Sequence, residues 1–182
     1  MSRYVTHVKR LTEVPQHTAI FYERIAPLLR SPKLGPILWQ LAPNFQRSDE
    51  NAQRLHATLA ELRPGIRHCF EFRHESWFVP QTYEELRSAG AALVIGDDPR
   101  RPFQTREVTT DFTFVRFHAG GVIGNGDYSE AELESWARWI EAQSAAGLDV
   151  FAYFNNDWEG YAIRNGLWLK ERLGVGPAAV TA

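Results

Sequence analysis

The sequence predicts an α/β fold built on a parallel sheet. Five short segments, 35–41, 67–73, 91–97, 112–118 and 149–156, are rich in aromatic or β-branched residues, and most are apolar on both faces. That is the pattern of parallel strands covered on two sides. Helical patterns lie between most of them, and no Asn-Gly or Asp-Gly pair joins two of them directly, which argues against hairpins. Alternating strands and helices imply right-handed βαβ units, in either an open doubly wound sheet or a closed barrel.

Residues 15–29, before the first strand, read as a helix. Residues 47–62 start at Ser48 or Asp49 as a cap and stop before Pro64. Residues 80–89 carry Tyr83 and Leu86 at helical spacing and end at Gly90. Residues 129–146 open with the capping pattern Ser129-x-x-Glu132 and place Leu133, Trp136, Ala137 and Ile140 on one face. The last helix, near 160–173, carries Leu167 and Leu169 and ends at Gly174. The stretch 98–111 lacks a helical pattern. No linker divides the chain, so residues 1–182 read as a single domain, with 174–182 expected to be a disordered tail.

Composition narrows the function classes. The chain has 182 residues, is 44% hydrophobic, and carries a formal net charge of -2, so no global basic field invites nucleic acid. The single cysteine, Cys69, rules out an intrachain disulfide framework and, with no signal-peptide pattern at the start, points to the cytoplasm. No apolar run approaches the roughly 18 residues of a membrane span. The glycines at 120–126 have the wrong spacing for a dinucleotide fingerprint and read as a loop rather than a phosphate cradle.

The functional signal is the polar residues at the C-terminal ends of the strands, the end that carries active sites in parallel α/β folds. The first strand ends in Gln40 and the turn to Asn44, and the second in Glu71, Arg73 and His74. The third ends in Asp97 and Asp98, the fourth in Arg116 and His118, and the fifth in Asn155, Asn156 and Asp157. Period-two alternation puts Glu71 in phase with Arg73, and Arg116 in phase with His118. A charge inside an apolar strand is costly unless it is paired or functional, so Glu71 is expected to pair with Arg73 or Arg116, as a structural network or as part of a ligand site. Glu71 and His118 are the acid/base candidates. His74 either faces a ligand or caps the following turn, and Asp97-Asp98 and Asn155-Asn156-Asp157 have the same two readings. Trp77 and Trp158 either stack on a ligand or pack over the strand ends. A metal could use Glu71, Asp97, His118 and Asp157, but no closely spaced ligand motif supports one, so no metal site is assigned and the cofactor is left open.

Several stretches carry a resemblance: SRYVTHVKRL at 2–11, KLGPILWQLAPNF at 33–45, FEFRHESWF at 70–78, FVRFHAGG at 114–121 and DVFAYFNNDWEGYAIRNG at 149–166. They resemble, in order, the YecE-like family, also called domain of unknown function 72. The resemblance implies a TIM-type β/α barrel, present here as a partial barrel of about five parallel strands corresponding to strands four to eight. It adds Thr6, His7 and Arg10 to the site, through a T-H-x-x-R-L stretch, and it covers Gln40, Asn44, Glu71, Arg73, His74, Trp77, Arg116, His118, Asn155, Asn156 and Asp157. Ala119 departs from the family's R-x-H-G-G. Family members also begin with about three further strands, so the chain is expected to be N-terminally truncated.

The expected function is a site for a small anionic or polyhydroxylated ligand held by Arg73 and Arg116, with hydrolase or lyase chemistry. The alternatives are a nucleotide or nucleic-acid binder using Arg3, His7, Lys9, Arg10, Arg73 and Arg116, or an inactive fragment. Nucleic acid is disfavoured by the charge, and no membrane partner is expected. The outer strands, GPILWQL and DVFAYFNN, lack the protections usual at sheet edges, so self-association is expected.

Overall fold

All five segments form strands in the computed structural model, which describes residues 3–121 and 126–176. They are β1 (Ile37–Gln40), β2 (His68–Glu71), β3 (Ala92–Asp97), β4 (Phe112–Phe117) and β5 (Asp149–Phe154). They lie in one sheet in the order β1-β2-β3-β4-β5, that of consecutive strands in a β/α barrel. β1 and β2 pair in parallel with Trp39 opposite Phe70 and Gln40 opposite Glu71, and β2 and β3 pair in parallel with Cys69 opposite Ala92.

The helices follow from local chemistry. α1 (Val14–Arg24) and α2 (Ala26–Leu29) replace the single helix expected at 15–29. Pro27 is the cause, because it has no N–H to donate and its ring would clash with the carbonyl four residues back. α3 (Asp49–Ala60) is capped by Ser48, whose Oγ accepts from Asn51 N at 3.2 Å. α4 (Pro80–Ser88) starts on proline, and the chain leaves it through Gly90 at φ +62°. α5 (Glu130–Ala145) has the expected reciprocal capping box between Ser129 and Glu132 and buries Leu133, Trp136, Ala137 and Ile140. α6 (Tyr161–Arg172) buries Tyr161, Asn165 and Leu169. A π-helical turn at Tyr4–Val8 and 3-10 turns at Glu75–Trp77 and Trp158–Gly160 add to the expected set.

No helix forms in 98–111. Two buried side chains pin its ends. The buried Asp98 carboxylate accepts from Arg100 Nε at 2.9 Å and Arg101 Nη1 at 2.8 Å. Thr109 Oγ1 accepts from Leu93 N at 2.8 Å and donates to Ala91 O at 2.7 Å. Burial raises the Asp98 pKa, but the hydrogen bonds and charges of Arg100 and Arg101 outweigh it and leave the group below its usual range.

The chain divides into two compact units, residues 1–95 with 103–113, and residues 96–102 with 114–182. The first has an aromatic core in which Trp39 packs on Phe21 at 5.1 Å and Phe72 stacks on Trp77 at 4.9 Å. Cys69 is buried in β2, as expected of a small core residue. In the second, Phe117 stacks on Phe154 at 4.4 Å and meets Trp136 of α5 edge-on at 5.1 Å. Here Gly120 N donates to Gly126 O, and a Cβ on Gly120 would sit 1.8 Å from Asp127 O, so only glycine fits. The rest of the glycine loop, 122–125, and residues 177–182 of the expected tail lie outside the described residues.

The second unit leaves apolar surface open. α5, β5 and α6 line a groove of about 710 Å³ that includes Val150, Ala152, Phe154, Leu169 and Leu173. Beside it on α6, Ile163 is 71% and Leu167 60% exposed. β5 is the last strand in the sheet order of the described residues, and an outer strand next to an apolar helix face favours association. We therefore expect a mass above that of the monomer by light scattering at micromolar concentration, returning to monomer in an Ile163→Lys/Leu167→Glu variant. A monodisperse wild-type monomer would overturn this.

Candidate functional site

In the first unit the site grows out of strand register. Gln40 and Glu71 are paired across β1 and β2, so their side chains leave the same face of the sheet. Gln40 Nε2 donates to Glu71 Oε2 at 2.9 Å. Arg73, two residues beyond Glu71 and in phase with it, donates from Nε to Glu71 Oε1 at 2.9 Å. Glu71 is 1% exposed, and each carboxylate oxygen therefore holds a donor, which is what burial of a charge demands.

The π-helical turn Tyr4–Val8 packs against β1 and brings His7 to this cluster. His7 Nδ1 shares a hydrogen bond of 3.0 Å with Oγ1 of the fully buried Thr6. Burial holds the His7 pKa below the ordinary value; the charges of Arg3 and Arg73 add to this, and Glu71 opposes it. Behind His7, Arg10 and Leu11 take left-handed backbone, φ +50° and +58°, at a cost of about 1–2 kcal/mol each. The fully packed Leu11 side chain and the bond from Leu11 N to Val5 O hold them there. Arg10 Nη2 donates to Asn44 O at 3.2 Å and lies over the Phe45 ring, tying this segment to the turn after β1.

Two candidates in this unit do structural work. His74 caps the turn Glu75–Trp77, its Nδ1 accepting from Ser76 N at 3.2 Å. Trp77 is not a ligand platform: it is 1% exposed, packs on Phe45 and Phe72, and spends its indole N–H on Phe45 O at 2.6 Å.

In the second unit, Phe117 faces α5, so Arg116 and His118 at alternate positions face away from it. Arg116 Nε donates to Asn155 Oδ1 at 3.1 Å, joining the ends of β4 and β5. Asp97 points the other way: its carboxylate accepts from Trp136 Nε1 at 2.8 Å, and its carbonyl accepts from His118 N and Tyr128 Oη. Asn156 is buried, donating to Asn165 Oδ1 at 2.8 Å and Gly126 O at 2.9 Å. Asp157 is exposed, and its carbonyl accepts from Gly160 N. Trp158 is exposed on the following turn.

Sequence reasoning missed Asn165 and His68. Asn165 links Asn156 to Asp127, donating to Asp127 Oδ1 at 3.0 Å. The signal was available, since Asn165 interrupts the buried i, i+4, i+8 series Tyr161, Asn165, Leu169, and a buried amide requires partners. His68 is buried on the helix-facing side of β2. Its Nδ1 accepts from Trp39 Nε1 at 3.1 Å and its Nε2 meets Tyr22 Oη at 3.4 Å. Burial pushes its pKa down to about 4, so it is neutral at pH 7. Among the described residues no group of three or more His, Cys, Asp or Glu is placed to hold a metal ion, and no helix is long and apolar enough to cross a membrane.

A sheet in sequential barrel order, with polar groups at its strand ends, defines a protein of the β/α-barrel class. The whole chain, residues 1–182, matches the family described as Protein of unknown function DUF72, and the protein belongs to that family. It is 29% identical to the UPF0759 protein YunF of Bacillus subtilis (strain 168), over 85% of this chain. It spans 63% of the length of that relative. The crystal structure of a DUF72 family protein from Thermotoga maritima MSB8 is similar at a TM-score of 0.84 and 29% identity, covering 94% of this chain and 71% of that one. A DUF72 family protein from Enterococcus faecalis V583 shares the fold at a TM-score of 0.80 and 23% identity, covering 91% of this chain and 68% of that one.

Proposed function

We propose that the protein is a cytoplasmic ligand-binding protein that takes a small anionic or polyhydroxylated molecule at the C-terminal ends of β1 and β2. The observation that carries this reading is the buried Glu71 carboxylate, which fixes Arg73 and Gln40 at the strand ends. A guanidinium whose geometry is already set loses less entropy on meeting an oxyanion. Arg73 is the anchor, and Gln40 and His7 supply further polar contacts. With both oxygens engaged, Glu71 is better suited to positioning Arg73 than to shuttling protons. In the second unit, Arg116 with Asn155 offers another polar pair, and His118 is the acid/base candidate for hydrolase or lyase chemistry.

Thermal unfolding against a panel of small oxyanions and sugars tests the reading. A ligand at about 100 times its Kd stabilises by about 2.7 kcal/mol, a clear rise in Tm. The rise should shrink sharply in Arg73→Lys, which keeps the charge but loses the planar fork. No rise with any panel member, or an equal rise in Arg73→Lys, would count against the site.

A further inference from the structure

We propose, resting on the reading above, that the site at the ends of β1 and β2 selects an α-hydroxy carboxylate: Arg73 takes the carboxylate, and the Gln40 amide oxygen takes the neighbouring hydroxyl. The geometry behind this is a shared anchor. Gln40 Nε2 and Arg73 Nε donate to different oxygens of the one Glu71 carboxylate, both at 2.9 Å. The amide and the guanidinium therefore stand side by side, held by the same buried group.

The anchor also decides what each side chain offers outward. Glu71, ion-paired with Arg73, only accepts, so the Gln40 amide must turn its NH2 group to it. That turns Gln40 Oε1 away from the carboxylate. Among the described residues no donor meets this oxygen, and it is not one of the buried unpartnered atoms, so it opens to solvent. Arg73 divides in the same way. Its Nε is engaged on Glu71, and no acceptor among the described residues bonds its two terminal NH2 groups. Its side chain is 22% exposed, so a ligand can reach them.

The cluster thus presents a guanidinium fork and, across the width of one carboxylate group, an open acceptor. An inorganic oxyanion would satisfy the fork and leave the acceptor unmet. A neutral sugar would satisfy the acceptor and leave the fork unmet. A carboxylate with a hydrogen-bond donor on the adjacent carbon satisfies both. A hydroxyl suits that place better than an ammonium, which would bring a second positive charge beside the guanidinium.

The experiment compares lactate, propionate and alanine, three acids on one carbon skeleton, with glycerol as the neutral control. Each is titrated at neutral pH into the tens of millimolar against the full chain. The reporter is the NMR resonance of the Arg73 Nε–H, which its bond to Glu71 shields from exchange and which is assigned by its loss in Arg73→Lys. Lactate should bind about fivefold more tightly than propionate, the net worth of one hydrogen bond, and more tightly than alanine. Glycerol should leave the resonance unmoved. Gln40→Lys keeps a donor for Glu71 and removes the acceptor, so in that variant lactate and propionate should bind alike. If propionate matches lactate in the wild type, or the preference persists in Gln40→Lys, the hydroxyl-reading role of Gln40 falls while the oxyanion site stands. If alanine binds best, the group read is an ammonium and the hydroxy-acid class falls. If glycerol binds as well as lactate, the carboxylate half falls. If nothing moves the resonance, this inference and the reading beneath it fall together.

Discussion

Replacing Arg73 with methionine should destabilise the protein by about 3–5 kcal/mol, because it takes from a buried carboxylate its charged donor. Glu71 is 1% exposed, and of its described donors only Gln40 would remain. The reverse change is milder. The Arg73 side chain is 22% exposed, so in Glu71→Gln the guanidinium can turn to water, and a loss of about 1–3 kcal/mol is expected. The asymmetry is the signature of a buried acid paired with a half-open base. Denaturant unfolding of the two single variants and the double variant would measure it. The double variant should be less destabilised than the sum of the singles, with a coupling of about 1–3 kcal/mol. Simple additivity would mean that the pair contributes nothing as a pair.

The second large effect is acid sensitivity from His68. Its folded pKa is about 4, against an ordinary value of 6.5. A depressed histidine stabilises nothing at neutral pH. As the pH falls below about 6.5 the unfolded chain takes up a proton that the folded chain refuses, and stability is lost down to about pH 4. At about 1.4 kcal/mol per unit the loss is on the order of 3 kcal/mol. His68→Asn removes the titration while keeping an acceptor near the Trp39 indole. Stability at pH 7.5 should fall by about 1 kcal/mol through the lost Tyr22 contact, and the wild-type-minus-variant difference should shrink or reverse by pH 4.5. A difference that stays constant from pH 7.5 to 4.5 would show that His68 is not held neutral.

The class of fold was legible because strand and helix periodicity are local properties. Two-sided apolar runs such as ALVI in β3, and the Ser129-x-x-Glu132 box, carry their outcome in a few residues. The break in the first helix was legible in principle from Pro27. The π-helical turn was not, since three left-handed residues at Arg10, Leu11 and Glu13 are imposed by packing and not by any glycine. The same division holds for the candidate site. Alternation placed Glu71 with Arg73 and Arg116 with His118, because strand phase is local. It said nothing about which partner each polar group meets. Asp97 engages the indole of Trp136, 39 residues on, and His74 closes its own turn. Trp77 is consumed by the core because its N–H reaches Phe45 O, 32 residues away in sequence. Such choices depend on distant contacts that residue spacing does not encode.

The helix-free connection between β3 and β4 can also be viewed through chain entropy. A crossover without a helix leaves residues 98–111 to be ordered by something other than a hydrogen-bonded ladder. The Asp98 clasp immobilises its first four residues, through Arg101, and Thr109 anchors it near its end; between them Phe103 packs on Phe78, Thr105 Oγ1 bonds to Tyr83 Oη, and Glu107 pairs with Arg87. Halving a flexible loop lowers its closure cost by only about 0.6 kcal/mol. The larger gain is that each ordered backbone residue otherwise costs about 1–2 kcal/mol, and here that cost is met by side chains anchored along the connection. Changes at Asp98 or Thr109, its two buried anchors, should consequently be expensive. A crossover tied down at its ends and along its middle has little room to vary in length.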